Sequence, residues 1–335
     1  MAASPSTEPP ATDPLHAPAA IGGGSFGGIG SPRHLIGQGL DERATGEVLD
    51  RCLRLGVTIL DTAHSYAAGA SQQMIGAWLA GDPARRARVA IVDKVGVVEG
   101  ADGLGVDLSP ANIASCAAEG RARMGVEAVD VVMTHAPDGA VPIGETLAAL
   151  AGLVEQGHAG AWGLSNVDAA DLAAWLDEAD RLSVSPPRFV EDEYNLVARD
   201  VEDGVLALCR ERRIEFLAYG PLAGGVLSGK YRRGEEVPAR SRLSLRPEAA
   251  AALTDEVFDR LDVLHAEAAA RGTSPAGLAL AWVLTQPGVR PIVGASRPAQ
   301  LDALEEALSI RLDEDAAARL GAAMAPAGDR RRGER

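Results

Sequence analysis

Eight short β-rich runs, separated by stretches whose apolar side chains recur three and four residues apart, constrain this chain more than any other feature. The runs fall at 20–23, 57–61, 89–94, 129–135, 159–165, 189–194, 214–219 and 290–293. Between them, segments such as GEVLDRCLRLG (46–56), PIGETLAALAGLVEQG (142–157) and VEDGVLALCRERR (201–213) carry the helical period and end near glycine or basic residues. Strictly alternating strand and helix implies repeated βα units on a parallel sheet. Eight such units close into a (β/α)8 TIM barrel with outer helices, a single domain over residues 20–325.

The first 19 residues are rich in Pro, Ala and Ser, and the last ten (326–335) in Arg and Gly. Both are too poor in large apolar groups to offset ordering entropy, so both read as disordered tails. The first cation is Arg33 and no apolar run is long enough for a membrane span, so a cytoplasmic location is expected. A net charge of −15 weighs against nucleic acid and anionic membranes and leaves a small-molecule partner. Cys52, Cys116 and Cys209 are far apart, without the spacing of a zinc site, and read as buried helix residues; no metal is implied. Nothing in the sequence sets the oligomeric state.

Active sites of such barrels lie where the strands end and the βα loops begin. The polar residues at those ends are Asp61, Lys94, His135, Ser165, Asn166, Glu191 to Asn195, and Tyr219, where packing alone would place Val, Ile or Leu. Of 32 basic residues only Lys94 and Lys230 are lysine, so in this arginine-biased chain a lysine is more informative than usual. The glycine-rich run 22–27 matches both a dinucleotide-loop pattern and a nucleophile elbow at Ser25. Neither has the flanking elements it needs, and the run reads as a tight turn after the first strand.

The segment LDTAHSYAAGASQQMIG (60–76) joins a strand ending in Asp61 to a loop carrying Tyr66. Reducing a carbonyl builds negative charge on its oxygen, which requires a proton donor and electropositive neighbours. Tyr66 suits the donor, with Lys94 lowering its pKa, Asp61 anchoring the lysine and His135 orienting the carbonyl. The segment resembles the aldo-keto reductase signature DTAxxYGxGxSE, with Gln72 in place of the final Glu. VAIVDKVG (89–96) and DVVMTHAPD (130–138) are similar to the segments that carry that family's catalytic lysine and histidine. The resemblance covers residues 20–325, is nearest the bacterial, potassium-channel-beta-subunit-like branch, and implies catalytic Asp61, Tyr66, Lys94 and His135.

It further implies a nicotinamide cofactor bound by Ser165, Asn166, Glu191, Tyr219, Pro221, Leu222, Lys230, Arg242, Gly294, Ser296, Arg297 and Gln300. Ser296 and Arg297 suit a 2′-phosphate, favouring NADPH over NADH. Against the family pattern, Glu191 replaces a Gln that meets the carboxamide, Ala303 and Leu304 replace an adenine-binding pair, and an N-terminal hairpin is absent or degenerate, its place taken by the Pro/Ala tail. Phe26, His64 and Trp162 are candidate substrate-pocket walls; the glycine-rich loop 95–110 and segment 223–247 are the specificity loops. The activity implied is NADPH-dependent reduction of an aldehyde, ketone or keto-sugar. The alternatives are an NAD(P)⁺-dependent sugar or alcohol dehydrogenase and a cofactor-loaded non-catalytic binding subunit.

Overall fold

The computed structural model describes residues 13–100, 103–239, 241–245 and 253–325, with the side chains of Gly100, Arg242 and Leu245 excepted. Ten strands occur among these residues: β1 Ala20–Gly22, β2 Ile59–Ala63, β3 Ala90–Val95, β4 Val97–Gly100, β5 Gly103–Val106, β6 Val129–Thr134, β7 Ala159–Ser165, β8 Phe189–Glu193, β9 Glu215–Tyr219 and β10 Val289–Gly294. Eight close a parallel barrel in the order β1-β10-β9-β8-β7-β6-β3-β2, while β4 and β5 form a separate antiparallel hairpin. The helices α1 Glu42–Arg54, α2 Ala70–Ala80, α3 Pro110–Met124, α4 Ile143–Glu155, α5 Ala169–Leu182 and α6 Val205–Arg212 lie between successive barrel strands, as a (β/α)8 barrel requires. Their starts follow capping chemistry: Asp41 caps α1, Ser109 caps α3 ahead of Pro110, and Asp168 caps α5.

The period of two along each strand sorts the residues. Ala20, Ile59, Ala90, Val92, Val131, Met133, Phe189, Leu217 and Ile292 form one buried cluster inside the barrel. A second, larger cluster fills the layer between strands and helices and contains Phe26, Trp162 and Trp175. Two residues beyond inward-facing Ile59 is Asp61, beyond Val92 is Lys94, beyond Phe189 is Glu191 and beyond Leu217 is Tyr219. The upper interior layer is therefore polar because alternation continues after the apolar residues run out.

The opposite end is closed by residues assigned above to a disordered tail. Pro14–His16 forms a turn; the Pro14 carbonyl accepts a 2.7 Å bond from Thr58 Oγ1, and the Leu15 carbonyl accepts from Arg290. Ala17 and Ala19 are buried, and Leu15 packs against the barrel interior. The tail expectation fails for 13–19 because the narrow barrel end is filled by small groups, which a count of large apolar residues misses. Residues 1–12 and 326–335, the rest of the expected tails, lie outside the described residues. The glycine-rich loop 95–110 contains the β4–β5 hairpin, tied by an ion pair from Arg33 to Glu99. Cys52, Cys116 and Cys209 are buried on α1, α3 and α6, as expected.

Candidate active site

At the C-terminal mouth of the barrel, one ammonium organises the polar layer. Lys94 on β3 donates to Asp61 on β2 and to both carboxylate oxygens of Glu191 on β8, at 2.9 and 3.1 Å. All three are at most 3% exposed. Burial alone lowers the Lys94 pKa, but Asp61 and Glu191 outweigh it and hold the group well above its ordinary value. Burial raises Asp61 despite the opposing charge of Lys94. It also pushes Glu191 up to about 8, with the charge of Asp61 adding to the effect and Lys94 opposing it. Glu191, expected from the resemblance at the cofactor's carboxamide, thus sits on the lysine.

Tyr66 reaches this cluster from the turn Tyr66–Gly69, which reverses direction through positive φ at Ala67 (49°), Ala68 (53°) and Gly69 (90°). Its ring lies 5.4 Å from Lys94 Nζ and meets the His135 ring edge-on at 5.4 Å and 83°. Burial raises the phenol pKa; Lys94 pulls it down, and Asp61 and Glu191 push it up. The expectation that Lys94 leaves a lowered phenol pKa is therefore corrected: its contribution has that sign, but burial and the two carboxylates outweigh it. His135 is pushed down to about 3 by burial and by the charge of Lys94, so it is a neutral imidazole at physiological pH. Ser65 Oγ lies 3.5 Å from its Nδ1, and among the described residues Nε2 has no protein partner.

Asn166, with φ of 59°, donates to the His135 carbonyl at 2.7 Å and to Ser165 Oγ at 3.1 Å, and accepts from the Tyr219 hydroxyl at 2.9 Å. Beside Asn166 and Tyr219 opens a cavity of about 470 Å³ whose lining includes Asp168, Asp192, Glu193 and Asp200. Further round the mouth, Pro221 is buried and Leu222 packs against the strand–helix core. Gly225, at φ of 100°, lies so close to Lys230 that a Cβ there would stand 2.9 Å from Nζ. After β10, Gly294 faces open space, Ser296 donates through its backbone (2.6 Å) and hydroxyl (3.1 Å) to Gln300, and Arg297 is exposed. Among the described residues Lys230 and Arg297 have no carboxylate partner, and Lys230 Nζ lies 5.0 Å from the centre of the Tyr231 ring. The Arg242 side chain lies outside the described residues. Ala303 and Leu304 pack against the core, Leu304 fully buried, and offer no polar group.

The three proposed pocket walls point elsewhere. Trp162 faces outward on β7, stacking on Trp175 at 5.9 Å and donating to the Ser185 carbonyl at 2.9 Å. Phe26 is buried in the strand–helix layer. Alternation turns Thr62 and His64 away from Asp61: Thr62 bonds Ser71 of α2, and His64 Nε2 lies 3.1 Å from Glu119 of α3. Aromatic type alone suggested pocket walls, whereas strand phase would have excluded Trp162 and His64. The hydroxyl of Ser25 donates to the Ala295 carbonyl at 2.6 Å, so the glycine-rich turn joins two loops and carries no nucleophile triad.

A second buried polar group was not anticipated. Asp93 faces outward between α2 and α3, accepting from Gln72 Nε2 at 2.8 and 3.0 Å, while Arg123 donates to Gln72 Oε1 at 3.0 Å. A Cβ on Gly120 would stand 2.4 Å from Asp93 Oδ2, so the glycine makes room for the carboxyl. Gln72 thus supplies the N–H groups that a glutamate could not. The readable signal was a charged residue at the outward phase of an otherwise apolar strand.

A model of the aldo/keto reductase family matches residues 20–325. The chain belongs to the aldo/keto reductase family. A probable aldo-keto reductase 1 of Glycine max is 34% identical over 283 residues, covering 82% of this chain and 78% of that one. A probable voltage-gated potassium channel subunit beta of Arabidopsis thaliana is 31% identical over 280 residues, covering 82% and 85%. An NADH-specific methylglyoxal reductase of Escherichia coli is 31% identical over 305 residues, covering 87% and 90%. In fold, the structure matches a glycerol dehydrogenase of Gluconobacter oxydans with a TM-score of 0.78 and 24% identity, over 92% of this chain and 91% of that one. This aldo/keto reductase is an NAD(P)H-dependent oxidoreductase of small carbonyl compounds. Among its described residues no helix is long and apolar enough to cross a membrane.

Burial lifts Asp93 to about 7 in the folded protein, so between about pH 4 and 7 the fold holds a proton that the unfolded chain releases. The stabilisation is complete below about pH 4 and is lost as pH rises through about 7. Thermal unfolding of wild type against Asp93→Asn at about pH 5 and 8 measures it. Wild type is expected to lose roughly 2 kcal/mol more than the variant over that interval; parallel profiles would remove Asp93 as the source.

Proposed function

We propose that this protein reduces a small aldehyde, ketone or keto-sugar with NADPH, and that Tyr66 delivers the proton to the carbonyl oxygen. The observation that carries this reading is the Tyr66 phenol, buried at the barrel mouth beside the Lys94 ammonium and edge-on to His135. Burial keeps the phenol protonated at neutral pH, the state a donor must be in. As negative charge grows on the substrate oxygen, the proton moves to it and the phenolate left behind faces Lys94. The Asp61 carboxylate keeps that lysine charged, and Glu191 accepts its remaining hydrogen bonds. With Ser65 Oγ at Nδ1, neutral His135 can offer Nε2–H to the same oxygen. The bound cofactor supplies the hydride.

Ser165 and Asn166 suit the carboxamide, and the Tyr219 ring, fixed by its bond to Asn166, suits stacking on the nicotinamide. Pro221, Leu222 and Lys230 suit the pyrophosphate path, and Gly294, Ser296, Arg297 and Gln300 the adenosine end. Among the described residues the Arg297 guanidinium has no carboxylate partner, which favours the 2′-phosphate of NADPH, in contrast to the NADH-specific relative.

Tyr66→Phe is expected to lower kcat on a responsive carbonyl by about 10²–10⁴ while leaving NADPH binding by fluorescence titration within a few fold. Retained turnover would dismiss Tyr66 as donor. Arg297→Ala is expected to weaken NADPH by roughly 10- to 100-fold, the worth of a charge-assisted bond, with NADH little affected. Equal losses for both nucleotides would contradict the phosphate assignment.

A further inference from the structure

Glu191 presents a charge problem that one carboxylate on Lys94 would not. Asp61, Glu191 and Lys94 are buried together, and both carboxyl groups reach the same ammonium. If all three were ionised, the pocket would carry a net negative charge with little water to screen it, which is costly. Both carboxyl groups converge on one ammonium, and a proton on one of them removes the excess charge. The other titratable groups facing Glu191 supply no compensating charge: Tyr66 and Tyr219 are both raised by burial, and His135 is neutral. Asp192 and Glu193, on the same strand, are negative or neutral, and Asp93 faces the opposite side of β3.

Oxidised nicotinamide carries a positive charge that the reduced ring lacks. Glu191 pairs in register with Ser165, next to Asn166, at the end assigned above to the nicotinamide. We propose that Glu191 couples the redox state of the cofactor to one proton: its carboxyl is protonated in the cofactor-free protein and releases that proton to solvent when the oxidised nucleotide binds, but keeps it when the reduced nucleotide binds. The coupling rests on the cofactor reading above. Charge balances at each step, since the incoming ring cation replaces the departing proton. Glu191 is then a specificity residue that discriminates between the two redox states of the cofactor, tightening the oxidised form as pH rises.

The burial that pushes Glu191 to about 8 sets where this discrimination changes. Below that value the oxidised nucleotide must displace the proton; above it the carboxylate is already prepared. Because the 2′-phosphate titrates in both nucleotides, the ratio Kd(NADP⁺)/Kd(NADPH) isolates the effect of the ring.

The test measures that ratio by fluorescence titration between about pH 6 and 8, for wild type and Glu191→Gln, together with proton release into a weakly buffered indicator dye. Wild type is expected to show a ratio falling by up to about tenfold per pH unit, with up to one more proton released on adding NADP⁺ than on adding NADPH near neutral pH. Glu191→Gln is expected to show a flat ratio and equal release for the two nucleotides. Binding of both nucleotides with a pH-independent wild-type ratio overturns the coupling alone, as does an unchanged slope in Glu191→Gln. Failure of either nucleotide to bind overturns the cofactor reading and the coupling with it.

Discussion

The Lys94 ammonium, buried between the carboxyl groups of Asp61 and Glu191, is the interaction on which the mouth of this barrel depends. Desolvating a charge costs several kcal/mol even after relaxation, and Lys94 is 1% exposed. Asp61 and Glu191 offset that cost from neighbouring and opposite parts of the barrel wall, one on β2 and the other on β8. A well-packed apolar residue would be no worse for stability, so the cluster makes sense as chemistry. It holds a fixed positive charge beside Tyr66, whose phenol is otherwise pushed by burial toward permanent protonation. The lysine's contribution becomes important when phenolate forms, because it stabilises the state created by proton transfer.

The barrel converts strand phase into site geometry. Ile59 and Val92 fill the interior, and two residues later the same phase delivers Asp61 and Lys94 to one point. The opposite phase produces a separate buried polar group, in which Asp93 meets Gln72 and Arg123 between α2 and α3. Adjacent residues of β3 therefore serve unrelated surroundings.

Much of this was legible in the sequence because it rests on periodicity and on residues placed at strand ends. All eight barrel strands lie within two residues of their expected bounds at each end, and Asp61, Lys94, Tyr66 and His135 converge as their spacing implied. Lys94, one of only two lysines, is buried against Asp61 and Glu191. What was not legible depended on contacts between distant segments. Leu15 and Ala17 are ordered only because the barrel floor has a gap of their size. Glu191 meets Lys94 across the barrel, a contact that no local pattern encodes. Trp162 and His64 lie away from the mouth for a simpler reason: both fall on the outward phase of their strands.

The central claim is that Lys94 is a permanently charged, carboxylate-held ammonium, and the chain's composition makes this directly measurable. With only Lys94 and Lys230 in the sequence, [¹⁵N]lysine labelling yields two side-chain nitrogen signals, and Lys230→Arg assigns them. The account predicts that the Lys94 Nζ resonance stays in the ammonium range, with slowed proton exchange, as pH is raised past the ordinary lysine value of about 10.4. A Lys94 signal that titrates to the neutral amine at or below about pH 9 would contradict it.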